Sequence, residues 1–192
     1  MMLTITGGRF KGRHVRTLSS HKTRYTPALA RRAFFDMIDI TGRTFLDLFA
    51  GSGIMSLEAL SRQASLAVPV EVSRSACSVI KSNRDSLGIA SDEIRIVCTD
   101  FRRALKSFAT SSQSFDVIFA DPPFEKGFFS DLVKNFGKFV DYLRDSLIVI
   151  ETSGEYLAEF TTCLESSDFV LTRNKSYSGV NLVFLEVRRD ET

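Results

Sequence analysis

The sequence has no tryptophan and only four prolines, two histidines and three cysteines among its 192 residues. Cys77, Cys98 and Cys163 are far apart and never form a C-x-x-C pair. This spacing argues against a disulfide framework and against a zinc site, so we expect no bound metal. Seventeen phenylalanines supply the large apolar side chains, and we expect the cysteines to be small buried hydrophobes in a reducing compartment.

Long apolar runs are also missing. No segment approaches the roughly 18 apolar residues that a membrane-spanning helix needs. The first residues, MMLTITGGRFKGR, lack the apolar stretch of a secretion signal. We therefore expect a cytoplasmic protein, built as one compact domain with a sizeable core and present as a monomer.

Acidic residues are absent from the first 32 positions, which contain eight lysines and arginines. The other 160 residues contain 17 basic and 23 acidic side chains, so a head of charge +8 precedes a body of charge −6. Cationic side chains gain affinity for a phosphate backbone by releasing condensed counterions. The charge distribution favours a nucleic-acid partner, and the alternative is a solvated basic surface.

Short apolar runs alternate with helical patterns from residue 44 onward, which predicts a mostly parallel, Rossmann-like α/β sheet covered on both faces. Two closing strands without an intervening helix predict an antiparallel C-terminal hairpin at one edge. Helices are predicted over residues 52–63, 74–87, 102–108, 128–143 and 154–165.

A small hairpin is predicted over residues 2–16, followed by an amphipathic helix that begins at Pro27. Residues 1–43 are thus predicted to form a basic N-terminal extension, and residues 44–192 the main domain.

In such sheets, ligands bind beyond the carboxyl ends of the strands. Four predicted strands end in an acidic residue, namely Asp47, Glu71, Asp100 and Asp121. Gly51 and Gly53 follow the first of these strands and allow a tight turn with close approach of a ligand to the backbone.

The glycine turn does not match a dinucleotide site, because Ser56 stands where a third glycine is expected. Asp47 lies four residues before the turn and favours a ligand with a cationic or amino group over a pyrophosphate. A nicotinamide dehydrogenase is further disfavoured because both histidines, His14 and His21, lie in the basic head.

The next two acidic residues indicate a nucleoside. Glu71 lies 20 residues after Gly51, where a carboxylate can accept both ribose hydroxyls. Asp100 can accept from an adenine amino group with Phe101 packed near the ring. The alternative role for Asp100 is a helix N-cap. A ribose acceptor, an adenine acceptor and a carboxylate near an amino group together describe S-adenosylmethionine.

The sequence DPPF, Asp121 to Phe124, ends the fourth strand of the main domain. Two consecutive prolines remove two backbone donors and stiffen the chain, which leaves the Asp121 carboxylate and the Pro122 carbonyl as fixed acceptors. Such acceptors help draw the lone pair of an exocyclic base amine out of conjugation, while Phe124 can stack on the base. The alternative is a proline-kinked exit from a strand with a core phenylalanine.

Taken together, several motifs resemble the RsmD-type bacterial methyltransferases, which modify the N2 amino group of a guanine in small-subunit ribosomal RNA. They are GGRFKGR, RYTPALARRAFFDMI, LDLFAGSGIMSLEALSR, VEVS, DPPF and KSYSGVNLVFLEV, and they are colinear over nearly the whole chain. The resemblance implies a seven-stranded class I methyltransferase fold and S-adenosylmethionine as cofactor.

The resemblance also implies roles for particular residues. Methyl-donor binding would involve Thr26, Asp47, Phe49, Ala50, Gly51, Gly53, Glu71, Val72, Asp100 and Phe101. The target base would be held by Asp121, Pro122, Pro123 and Phe124, and RNA would be contacted by Arg9, Lys11, Arg13, Arg24 and Arg31. The sequence departs from the family pattern at Tyr25, Arg32, Ser56 and Ser73.

The predicted function is therefore S-adenosylmethionine-dependent methylation of a guanine N2 amino group in 16S ribosomal RNA, within an assembling or assembled 30S particle. One alternative is an amino-methyltransferase that acts on adenine or on DNA. The other is a non-catalytic RNA-binding assembly factor with the same fold. The chain has no room for a separate target-recognition domain, which disfavours a sequence-specific DNA enzyme.

Overall fold

The computed structural model describes residues 2–18, 25–124 and 127–188. Its strands are β1 (Met2–Thr4), β2 (His14–Arg16), β3 (Thr44–Asp47), β4 (Leu66–Glu71), β5 (Val97–Cys98), β6 (Val117–Ala120), β7 (Leu147–Ser153), β8 (Phe169–Tyr177) and β9 (Val180–Val187). Its helices are α1 (Ala28–Met37), α2 (Ile54–Ser61), α3 (Arg74–Leu87), α4 (Phe101–Thr110), α5 (Phe128–Gly137), α6 (Val140–Leu143) and α7 (Gly154–Glu165).

Seven strands form the main sheet in the order β5-β4-β3-β6-β7-β9-β8. The five strands from β5 to β7 in this order run parallel, whereas β9 is antiparallel to both β7 and β8. The predicted Rossmann-like sheet with an antiparallel C-terminal hairpin is confirmed. Strand order reverses between β3 and β6, so the ligand crevice of such a sheet is expected beyond the carboxyl ends of these two strands.

The helices follow the sequence pattern closely. Two predictions, 74–87 and 154–165, match α3 and α7 residue for residue. The predicted helix over 128–143 is wrong in being continuous, because α5 ends at Gly137 and Phe139 leaves the helical conformation with φ −130°. Glycine is a poor helix former, which explains a break at this position.

The core lies on both faces of the sheet. Alternate strand residues point to opposite faces, so Phe119 of β6 packs toward α1 and α2 while its neighbours Ile118 and Ala120 pack toward α4, α5 and α7. Phe34 of α1 contacts Phe119 edge-to-face at 5.3 Å between ring centroids. Helix α1, although it precedes the first strand of the main sheet, is therefore part of its core.

The predicted N-terminal hairpin is confirmed as the antiparallel pair of β1 and β2, and it is fixed to the main sheet by a buried carboxylate. Glu58 of α2 is fully buried and accepts from the backbone N–H of Thr6 at 2.8 Å and from Arg31 Nε at 3.3 Å. It also forms an ion pair with Arg62. The Glu58 carboxylate thus joins the N-terminal hairpin, α1 and α2.

Close backbone contact holds the loop of the hairpin against α2. Gly8 has φ +74°, and a Cβ built on it would lie 1.9 Å from the carbonyl oxygen of Ser61. The backbone N–H of Arg9 donates to that same carbonyl at 2.7 Å. Only glycine fits at position 8, both for its left-handed backbone and for this approach.

The cysteines occupy three different environments. Cys77 is buried as predicted, and Cys163 is partly buried. The prediction for Cys98 is wrong, because this residue is exposed on β5, the edge strand of the sheet. Within the described residues, no helix has both the length and the apolar character needed to cross a membrane.

Candidate active site at the carboxyl edge of the sheet

Backbone hydrogen bonds hold the glycine turn after β3, one to β4 and one within the turn. Ala50 N–H donates to the carbonyl of Val70 at 3.0 Å, and Gly53 N–H donates to the carbonyl of Ala50 at 2.7 Å. Gly51 and Gly53 have φ +54° and +77°. A Cβ at Gly53 would lie 3.0 Å from Ile80 Cγ2, so both backbone angle and space favour glycine there.

Glu71 orients its carboxylate toward this turn. One oxygen accepts from the backbone N–H of Gly51 at 2.9 Å, and the other accepts from the N–H of Ser73 at 2.8 Å. Ser73, which stands where the family pattern often has an acid, is the N-cap of α3 and its hydroxyl accepts from Ala76 N–H at 3.4 Å. The ends of β3 and β4 are thus joined by one hydrogen-bonded carboxylate.

Asp47 is buried at the end of β3, with 1% of its surface exposed. The Ser56 hydroxyl donates to its Oδ2 at 3.0 Å. Burial raises the pKa of Asp47 to about 7, and the negative charge of Glu71 acts in the same direction, while hydrogen bonds from Ser56 and Phe49 oppose the shift. Ser56, the residue that replaces a glycine of the family pattern, is therefore the hydroxyl donor to this carboxylate.

A small cavity of about 30 Å³ lies where these elements meet. It brings together six residues that the sequence predicted for the site, namely Thr26, Asp47, Phe49, Ala50, Gly51 and Asp121. The remaining lining comes from Tyr25, Ile54, Met55 and Phe119. The predicted donor-binding turn and the predicted base-holding Asp121 therefore share one cavity, which the segment before α1 covers.

Five residues predicted for the donor lie outside this lining, and two of them, Gly53 and Glu71, form or contact the glycine turn described above. Val72 is 70% exposed beside Glu71. Phe101 is buried and packs against Phe49 at 5.0 Å between ring centroids, which links it to the cavity wall. Asp100 is the N-cap of α4 and accepts from the backbone N–H and the guanidinium of Arg102 at 2.9 and 2.8 Å. The capping role considered for Asp100 is thus present in the structure.

The DPPF segment places its four residues in different environments. Asp121 is partly exposed and faces the cavity, Pro122 is buried and Pro123 is exposed. The partly exposed ring of Phe124 packs against Phe129 and Tyr156, with centroid distances of 6.3 and 6.2 Å. The segment therefore combines a carboxylate at the cavity with an aromatic ring supported from behind by two others.

Comparison with known proteins assigns the chain to a family. A family model described as conserved hypothetical protein 95 matches residues 3–186. The chain belongs to this family. The RsmD-type relationship predicted from the motifs is confirmed, because ribosomal RNA small subunit methyltransferase D of Escherichia coli K12 is 30% identical over 158 residues, covering 80% of this chain and 76% of that protein.

A second relative supports the family, and a solved structure supports the fold. YlbH of Bacillus subtilis, which carries a provisional rRNA methyltransferase name, is 30% identical over 188 residues, covering 97% of this chain and all of that protein. The solved structure of SMU.776, described as a methyltransferase complexed with SAH, superposes with a TM-score of 0.66 over 82% of this chain and 48% of that chain. At 14% identity, the second similarity establishes the shared fold alone.

Among the described residues, the basic side chains predicted to contact RNA do not form one surface around the cavity. The predicted RNA contact through Arg31 is wrong, because its side chain is 2% exposed and its guanidinium donates to Glu58, to the carbonyl of Thr26 at 2.7 Å and to the carbonyl of Thr4 at 2.8 Å. Burial lowers the pKa of Arg31, and the charge of Glu58 opposes this. Arg24 lies outside the described residues.

Arg9, Lys11 and Arg13 are exposed but lie at the amino edge of the sheet. Arg9 is bonded to Ser61 at the end of α2, whose first residue, Ile54, lines the cavity. Eight helical residues extend about 12 Å, so the backbone of Arg9 lies at the end of α2 that is remote from the cavity. Arg9 is also ion-paired with Glu93, and Arg13 Nη2 donates to the carbonyl of Ser86 at 3.0 Å.

Sequence reasoning missed Asn83, which connects the hairpin to the glycine turn. Its side chain is 1% exposed. Its amide accepts from Arg16 N–H at 2.9 Å, and its Nδ2 donates to the carbonyl of Arg16 at 2.9 Å and to that of Ser52 at 3.1 Å. The only sequence signal was a polar residue on the apolar face of a predicted helix.

Proposed function

We propose that this protein transfers the methyl group of S-adenosylmethionine to the exocyclic N2 amino group of a guanine in 16S ribosomal RNA. The observation that carries the proposal is the cavity that joins Asp47 and Gly51, on the donor side, to Asp121 on the acceptor side. An enzyme that transfers a methyl group must hold donor and acceptor in contact, and these residues meet at one point of the sheet edge.

The charges around the cavity suit S-adenosylmethionine. Asp47 and Asp121 line the cavity, Glu71 is bonded to its glycine turn, and the part of the lining that the structure describes includes no lysine or arginine. The ammonium and sulfonium groups of the donor supply the missing positive charge. Glu71 would accept from the ribose, and Val72, Asp100 and Phe101 would lie toward the adenine. The donor supplies the activated methyl group when bound.

The acceptor side suits an amine whose lone pair is delocalised into a ring. The Asp121 carboxylate and the Pro122 carbonyl would each accept one N–H of the amine, which favours a geometry with the lone pair directed at the methyl group. On transfer, the nitrogen–carbon bond would form as the carbon–sulfur bond of the donor breaks, with the bonding pair left on sulfur and the proton of the methylated nitrogen released to solvent. The ring of Phe124, braced by Phe129 and Tyr156, provides a surface for the base.

Ribosomal RNA as the substrate is supported by the names of the relatives and by the charge of the N-terminal head. Bases in an RNA duplex present their edges poorly, so the target guanine would belong to a loop nucleotide that can be unstacked and turned into the site. The 30S particle, complete or in assembly, would supply such a nucleotide, and one chain would act as a monomer.

The test uses radiolabelled S-adenosylmethionine and small subunits from cells that lack this protein, followed by nucleoside analysis of the labelled RNA. We expect label in N2-methylguanosine of 16S RNA. Label in methyladenosine or in DNA would identify the other amino-methyltransferase activity, and a folded, donor-saturated protein that labels nothing would reject catalysis.

Asp121→Asn is the matched variant for this assay, since it keeps the size of the side chain and removes the charge of one acceptor. Removal of one preorganised polar contact of this kind costs about 100-fold to 1,000-fold in turnover. Asp116→Asn, which changes an exposed carboxylate at the opposite end of the same strand, should retain activity.

A further inference from the structure

The C-terminal hairpin contains an acid-free segment that the donor and acceptor sites do not use. Residues 169–185 contain no aspartate or glutamate, and only the first 35 residues form a longer stretch of this kind. Within it, residues 172–176 of β8 are all exposed and include Arg173 and Lys175. Because β8 is the last strand of the sheet, its outer backbone edge has no neighbouring strand among the described residues.

Strand register places this segment at the height of Asp121. Lys175 is opposite Leu182, Leu182 is opposite Glu151, and the residue before Glu151 is paired with Ala120. Lys175 is therefore level with the residue that follows Ala120, which is Asp121. Three strand spacings separate β8 from β6, or about 14 Å, a distance that a few nucleotides of an extended strand can bridge.

The two cations also lie on the same face of the sheet as the cavity. Arg173 is opposite Phe184 and Lys175 is opposite Leu182, and both partners belong to the core cluster that includes Phe119. Residues paired across strands share a face. The guanidinium carbon of Arg173 lies 5.4 Å from the ring centroid of Phe184, which holds this cation against the sheet.

Helix α1 borders the cationic strand and adds to the same surface. Tyr177, at the end of β8, places its hydroxyl 3.9 Å from the sulfur of Met37 in α1. Arg32 of α1 is exposed, although Asp36 pairs with it at 3.6 Å. Exposed cationic side chains of α1 and β8 therefore lie on the same face of the sheet as the cavity, whereas the backbone of Arg9 is bonded to the last residue of α2.

We propose that residues 172–176 of β8 bind the sugar–phosphate backbone of the RNA strand that delivers the target base, with Arg173 and Lys175 as the phosphate contacts. This inference rests on the proposed function, because it assumes an RNA substrate at the cavity. Charged residues on an edge strand also prevent strand-to-strand aggregation, and the experiment separates that role from RNA binding.

The experiment compares two double variants with the same loss of charge. R173A/K175A removes the β8 cations, and the control R103A/K106A removes two exposed cations of α4, on the opposite face of the sheet. Binding of a fragment of small-subunit ribosomal RNA is measured across a salt series. Two lost phosphate contacts should reduce the slope of log affinity against log salt by about 1.4 and weaken binding about tenfold at low salt.

We expect the control to lose less than about twofold in RNA affinity, and R173K/K175R to recover most of the loss. An equal loss in the control would overturn the proposal, and so would an unchanged slope in R173A/K175A. Donor affinity, measured separately by calorimetry, should be the same in all variants, and a change there would also overturn it.

Failure of this proposal is distinguishable from failure of the proposed function. Guanine methylation by the wild type together with normal RNA binding by R173A/K175A rejects the β8 surface alone. Selective loss of RNA binding in R173A/K175A, with no methylation by the wild type, supports the surface and rejects the activity.

Discussion

The hydroxyl of Ser56 donates to the carboxylate of Asp47 at 3.0 Å, and both residues are almost completely buried. Ser56 thus supplies one hydrogen-bond donor to the carboxylate at the start of the glycine turn. A buried carboxylate depends on such donors, because desolvation otherwise favours its neutral form. Several properties of the donor site should therefore depend on the protonation of Asp47.

Donor binding should be linked to pH through Asp47. Burial raises the pKa of this carboxyl to about 7, and the positive groups of S-adenosylmethionine should favour the charged form. Binding would then release a proton, and donor affinity should rise with pH by up to about tenfold per unit below pH 7 and level off above it. Calorimetry in two buffers of different ionisation enthalpy measures this release. Asp47→Asn should bind without it, and equal proton release by the variant would contradict the assignment.

The carboxyl group of Asp47 should also make the free energy of unfolding depend on pH. Because the pKa of Asp47 is raised above its ordinary value of 3.8, the native state holds a proton that the unfolded chain gives up. The stability that this proton provides is complete below about pH 4 and is lost as the pH rises to about 7. Urea unfolding of Asp47→Asn should lack this decline over that window, and parallel curves for variant and wild type would count against it.

Ser56→Ala should raise the pKa of Asp47 further, since one donor to its charged form is removed. We expect the free energy of unfolding to fall by about 1–3 kcal/mol above pH 7, where the carboxylate is charged, and by less at pH 5. Ser107→Ala, in the exposed face of α4, is the control and should have little effect. A loss that is the same at both pH values would mean that the hydroxyl acts through packing.

Asn83→Ala should weaken donor binding although Asn83 does not line the cavity. The substitution removes the bond to the Ser52 carbonyl in the glycine turn and both bonds to Arg16. We expect about 1–3 kcal/mol of lost stability and, below the unfolding transition, a weaker donor affinity of about fivefold, equivalent to roughly 1 kcal/mol.

The control for this variant is Asn135→Ala, which removes a buried asparagine that donates to Asp131 within α5. Its stability should fall by a similar amount while its donor affinity stays at the wild-type value. A purely structural role for Asn83 would make the two variants alike in both measurements.

Glu58→Gln should destabilise the fold strongly, because it leaves the buried Arg31 without its charge partner. Breaking a buried ion pair in this way costs about 3–5 kcal/mol. Asp36→Asn breaks the exposed pair with Arg32 and should cost no more than about 1 kcal/mol. Urea unfolding monitored by circular dichroism compares the Glu58→Gln and Asp36→Asn variants. Similar unfolding midpoints would show that Glu58 does not hold the N-terminal hairpin against α2.

Much of the fold and part of the site could be predicted from local sequence. Short apolar runs between helical patterns predicted the strands of the main sheet. Acidic residues at the strand ends pointed to Asp47, Glu71 and Asp121, because parallel strands bring their carboxyl ends to one edge. Of the two roles predicted for Asp100, the N-cap is present in the structure, since a strand-end aspartate before a helix is a natural cap, and the contact with adenine stays a prediction.

The remainder depended on contacts between distant residues. Arg31 lies in a basic segment and looks like a surface residue until its partner Glu58, 27 positions later, is placed beside it. The role of Asn83 likewise requires knowledge of where Arg16 and Ser52 fold. Charge pattern predicts which side chains are cationic, whereas burial is decided by tertiary packing.

Because Glu58 and Asn83 attach the N-terminal hairpin to the main sheet, the hairpin cannot be removed from the chain without loss of their contacts. A shortened protein that began at residue 44 would keep both side chains but lose their partners Thr6, Arg31 and Arg16, so Glu58 would retain only Arg62 and Asn83 only Ser52. Gene fusions or domain exchanges that preserve residues 44–192 should therefore include the first 43 residues as well.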